Sequence, residues 1–130
     1  MRRQVAPQLP PEAAEDGKER LLAWQARKVL EHIERYITQR VLICDLCALV
    51  QRSEAHFSRS FKRTFGLSPH AFVVQRRVEL AVQYMLQTDT SLSDIALQCG
   101  FVDQAHLCKH FRRLVGATPA AWRRARRAPI

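Results

Sequence analysis

Two spacings in the 130-residue chain invite a chemical reading: Cys44 and Cys47 form a C-x-x-C, and His106 and His110 stand one helical turn apart. Either pair could supply two metal ligands, and the cysteines could also work as a redox dithiol. A tetrahedral zinc site needs two more ligands. No second C-x-x-C and no histidine pair at finger spacing follows the cysteines, and the histidines lack evident partners. Both cysteines lie in the apolar stretch "LICDLCALV", where a small thiol packs well in a helix. His56 and His106 recur fifty residues apart, which argues for a shared structural job rather than catalysis. No nucleophile and base, no carboxylate pair and no phosphate-cradling glycine loop stands out, so the reading is no enzyme, no cofactor and no resident metal. A redox- or metal-responsive switch through Cys44, Cys47 and Cys108 is the second reading. A bound-metal measurement with a thiol count separates it from the first.

The basic side chains carry a stronger pattern. Residues 55–69, "AHFSRSFKRTFGLSP", return at 105–119 as "AHLCKHFRRLVGATP", with Phe61/Phe111, Gly66/Gly116 and Pro69/Pro119 kept. A repeat at fixed spacing is one structural unit used twice. As helices, both copies place their apolar anchors on one side. The opposite side shows Ala55, Ser58, Arg59 and Lys62 in the first copy, and Gln104, Ala105, Cys108, Lys109 and Arg112 in the second. These are small, polar or basic groups that a nucleic-acid groove admits. Arginine or lysine can bond guanine edges and glutamine can bond adenine, which suits Arg59, Lys109 and Gln104. Lys62, Arg63, Arg76, Arg77, Arg112 and Arg113 are expected nearer phosphates, where they position without reading sequence.

The whole composition agrees. The formal charge is +9, and residues 104–130 hold seven Lys or Arg with no acid. Such a balance favours a polyanionic partner, nucleic acid before an anionic membrane. No run of about 18 apolar residues occurs, and the basic start lacks the apolar stretch of a signal peptide. Reduced cysteines and a cytoplasmic setting are therefore expected.

Seven helices and no strand are expected to position these groups. Residues 1–20, with three prolines, read as a mobile leader. Leu22, Ala26, Val29, Leu30, Ile33 and Ile37 then follow helical spacing. The "LICDLCALV" helix should turn Leu46, Leu49 and Val50 inward. The third helix, capped by Ser53, should bury Phe57, Phe61 and Phe65. Ser68-Pro69 starts a fourth helix running to about Leu86. Ser91 and Asp94 suggest a capping box for a short fifth. Asp103 opens a sixth, with Leu107, Phe111, Leu114 and Val115 expected inside. The seventh covers residues 120–127, with Trp122 matching Phe72 as core and "RRARR" as a flexible basic tail. The expected organisation is a leader (1–20), a first subdomain (21–67), a linker helix (68–87) and a second subdomain with the tail (88–130).

Each repeat is a short helix, a turn and a second helix, the helix-turn-helix arrangement whose second helix enters the major groove. Over residues 46–122 the chain resembles the DNA-binding domain of the AraC/XylS family of bacterial transcription regulators. The resemblance rests on "HFSRSFKRTFGLSP" and "IALQCGFVDQAHLCKHFRRLVGATPAAWR". It implies an all-α fold of two helix-turn-helix subdomains joined by a long central helix. Two recognition helices would enter adjacent major-groove segments of double-stranded DNA, so one chain could act as a monomer on a site that is not palindromic. It also implies Ala55, Ser58 and Arg59, then Gln104, Cys108 and Lys109, as base-reading positions. Activation through RNA polymerase in the bacterial nucleoid is the expected use. A fragment of a longer ligand-sensing regulator is the alternative, although Met1 and the leader are read as favouring a stand-alone protein. Departures are local. Gln51 stands where the family commonly has glycine, Leu42 cannot cap as Ser91 does, Cys47 replaces alanine, and Lys109 replaces arginine and loses the bidentate fork.

Overall fold

The computed structural model describes residues 20–127. The described residues form seven α-helices and no strand: α1 (Ala23–Arg35), α2 (Ile43–Val50), α3 (Glu54–Phe65), α4 (Pro69–Gln87), α5 (Leu92–Gln98), α6 (Gln104–Val115) and α7 (Pro119–Arg127). The leader expected over residues 1–20 lies, apart from Arg20, outside them. The all-α reading with a long α4 is what the chain adopts. It divides into two compact units, the first holding residues up to Tyr36 and Val41–Phe72, the second Ile37–Arg40 and residues from Val73 on. The chain thus passes from one unit to the other inside α4.

In the first unit α2 packs on α1 and α3. Phe57 and Phe61 are fully buried with Leu46, Val29 and Ile33. The phenylalanine stripe continues through Phe65, 4.5 Å from Phe61 between ring centroids, and Phe72 meets Phe61 edge-on at 5.4 Å. Two expectations shift. Phe65 and Leu49 are only half-buried, and Cys47 takes the inward place on α2 beside Leu46 and Val50. Helix α1 ends at Arg35, so Ile37 leaves the helix although its spacing continues the apolar pattern.

The second unit repeats the plan. Val78, Ala81, Met85, Ile95, Ala96, Cys99, Phe101, Leu107 and Phe111 form its core, with Trp122 packed against it. Trp122 meets Phe111 edge-on at 5.8 Å, the counterpart of Phe72 on Phe61. Leu114 and Val115, expected inside, are 41% and 39% exposed. They occupy the last turn of α6, where the chain stops at Gly116 and α7 covers Phe111 instead. The "RRARR" segment is also reassigned, because it is helical. Arg123 donates from Nε to the Met85 carbonyl at 3.1 Å and from Nη1 to that of Thr90 at 2.7 Å, and Arg127 bonds Thr88 at 2.9 Å and pairs with Asp89. These bonds satisfy the Met85 carbonyl in the last turn of α4, which the helix itself leaves open, and carbonyls of the loop that follows.

The two short turns close alike with different residues. In the second, Phe101 N–H donates to Ala96 O and Gly100 N–H to Leu97 O, with Gly100 left-handed at φ 93°. In the first, Arg52 N–H donates to Cys47 O across Gln51, which takes φ 55° and ψ 49°. Gln51 is the one non-glycine residue at positive φ among those described. A β-carbon in this conformation costs on the order of 1 kcal/mol.

Candidate nucleic-acid interface

Helix α3 is held by its cap and by a buried polar network. Ser53 Oγ accepts from His56 N–H at 3.2 Å. Phe57, Ser60, Phe61 and Thr64 form its buried side. Ala55, Arg59, Lys62 and Arg63 are left exposed and Ser58 half-buried, so the first set of expected contact residues shares the outer side of one helix. The sequence reading missed what anchors that helix. Arg52 donates to Ser60 Oγ at 2.6 Å, to Gln25 Oε1 at 3.2 Å and to the Arg20 carbonyl at 3.4 Å. Thr64 Oγ1 accepts from Leu21 N–H at 2.9 Å and donates to the Ser60 carbonyl at 2.8 Å. Gln25, Ser60 and Thr64 are the buried polar residues of the described chain, and all three belong to this network. Satisfied in this way, their burial carries no desolvation penalty of an unpaired group. The available signal was Ser60 and Thr64 one turn apart on the phenylalanine side.

Helix α6 repeats the geometry. Asp103 Oδ1 accepts from His106 N–H at 2.8 Å, and Val102 N–H donates to His106 Nδ1 at 3.2 Å. His106 therefore locks the turn to the first turn of the helix, with Nδ1 as acceptor. Its ring stands edge-on to Phe101 at 5.3 Å and 4.9 Å from that of His110, and His110 Nδ1 lies 3.0 Å from Arg113 Nη2. Leu107 and Phe111 are buried. Gln104, Ala105, Lys109, Arg112 and Arg113 are exposed and Cys108 is half-buried. The second set again shares the outer side of one helix.

One of the two α4 arginines differs from expectation. Arg76 pairs with Glu79 one turn on. Arg77 donates from Nε to Ile37 O at 2.8 Å and from Nη2 to Gln39 O at 2.6 Å. Burial pulls its guanidinium below the ordinary arginine value. A guanidinium fork that clamps two loop carbonyls is a structural fastening, and this geometry gives Arg77 a role other than phosphate contact. The cysteines are all free. Cys44 is exposed, whereas Cys47 is buried and its thiol is raised by burial, with Glu54 and Cys44 adding to the shift. Burial pushes Cys99 up to about 11. Raised thiols are poor nucleophiles at neutral pH. No group of three or more His, Cys, Asp or Glu able to hold a metal occurs among the described residues.

These two capped, outward-facing basic helices lie inside residues 46–125, which match the family described as a helix-turn-helix domain. The chain belongs to the AraC/XylS family. Its relatives include the probable transcriptional regulator LumQ of Photobacterium leiognathi, 30% identical over 91 residues, 70% of this chain and 37% of LumQ. The chain thus spans little more than a third of that relative. Among solved structures, the DNA-binding domain of AdpA, crystallised with a target DNA, is 32% identical with a TM-score of 0.71, over 79% of this chain and 95% of that one. A probable AraC family transcriptional regulator from Rhodopseudomonas palustris is 28% identical with a TM-score of 0.71, over 79% and 97%. No described helix is long and apolar enough to cross a membrane.

Proposed function

We propose that the chain binds double-stranded DNA sequence-specifically and regulates transcription, inserting α3 and α6 into adjacent major-groove segments. Ala55, Ser58 and Arg59 read bases in one half-site, and Gln104, Cys108 and Lys109 in the other. Lys62, Arg63, Arg76, Arg112 and Arg113 serve phosphates. In this reading residues 21–67 and 88–130 are the two reading subdomains and 68–87 the link between them. The observation that supports it most is the repeated placement of small, polar and basic side chains on the exposed side of two capped helices. AdpA, a relative of the same fold, was solved on its target DNA. One chain with two reading helices acts as a monomer, and activation through RNA polymerase in the cytoplasm is the role this proposal assigns to it.

Selection of bound duplexes from a random library tests this directly. The expected product is a site of two unlike blocks about one helical turn apart. A palindromic site would overturn the monomer, and a failure to enrich any sequence would overturn specific binding.

A further inference from the structure

The residue just before the cap of each recognition helix, Arg52 in one copy and Val102 in the other, is used in opposite ways. Arg52 is drawn inward to Ser60 and Gln25. Val102 stands 76% exposed, more than any other large apolar residue of the described chain. An apolar residue at this place ordinarily folds back on the fourth helical residue, here Leu107. Leu107 is completely covered without it, in a core cluster that does not include Val102. The Val102 backbone is nonetheless pinned, because its N–H donates to His106 Nδ1 and the following residue caps the helix. A stiff, β-branched side chain is therefore held in solvent beside Gln104 and Ala105, at the end of α6 that meets bases in a helix-turn-helix complex.

We propose that Val102 is a specificity-determining residue that packs against the 5-methyl group of a thymine in the second half-site, an inference that rests on the DNA-binding reading above. In the major groove that methyl is the apolar mark that separates thymine from cytosine, and apolar side chains read it by contact. Arg52 is already committed to the fold, so the first half-site lacks the equivalent contact. Desolvating a single methyl corresponds to about a fourfold change in affinity.

The test replaces each thymine of the selected second half-site in turn with deoxyuridine, which removes only the methyl. Binding is then measured for the native chain, Val102→Ala and Lys109→Ala. One position should cost the native chain about fourfold and cost Val102→Ala nothing, with the melting temperature of Val102→Ala unchanged. Indifference of the native chain to every deoxyuridine, a half-site without thymine, or a penalty that persists in Val102→Ala would each overturn the proposal. Lys109→Ala separates the two levels: if it weakens all sequences equally, the base-reading assignment of α6 fails, whatever the methyl series gives.

Discussion

Single side chains carry the sharpest expectations. Arg59 is exposed on α3 and can form a bidentate pair with guanine. Arg59→Ala should cost about 1–3 kcal/mol on the preferred site and relax selectivity at one position, read by repeating the selection. Equal weakening on all sequences would remove it from the base-reading set. Arg113, beside His110, should behave otherwise. Arg113→Ala should weaken every duplex alike and reduce the slope of log affinity against log salt by about 1, measured by titration at several ionic strengths. A changed sequence preference would count against that role. At this scale the sequence was legible where a residue type has one use, as for Phe57, which is fully buried. Arginine has several, and spacing alone did not separate Arg77, which clamps the Ile37 and Gln39 carbonyls, from Arg63, which stays on the surface.

Elements were legible where their ends are written in capping chemistry. Ser53, Ser91 and Asp103 each accept from a backbone N–H three residues on, and α3 and α6 stop at Gly66 and Gly116 as their repeat foretells. Periodicity misled where an apolar pattern outlasts the helix or its cover: Ile37 falls in a loop, and Leu114 and Val115, in the last turn of α6, stay exposed. The turns allow a direct check. Gln51→Gly should raise stability by about 1 kcal/mol by relieving the left-handed backbone, seen as a higher denaturation midpoint. Gly100→Ala should destabilise more than Gly116→Ala. The new β-carbon would lie 2.8 Å from Arg77 Nε and 3.0 Å from the Ile37 carbonyl, whereas that at Gly116 meets nothing within 4 Å. Equal losses at both glycines would show that the Arg77 fastening yields easily.

For the molecule as a whole, duplication made the architecture readable: one strongly patterned unit, seen twice, fixes its own interpretation. Phe61→Ala and Phe111→Ala should each cost about 3–5 kcal/mol through the cavity they open, because both rings are fully covered and each meets an edge-on aromatic partner. Unchanged melting curves would contradict those cores. What the sequence hid was the polar fastening, since Arg52, Arg77, Arg123 and Arg127 look like surface charge until their carbonyl and hydroxyl partners are known. Lysine at those four positions would leave the formal charge at pH 7 at +9. The planar, multi-pronged donors would be gone all the same, so a variant of the same charge at neutral pH should unfold well below its parent.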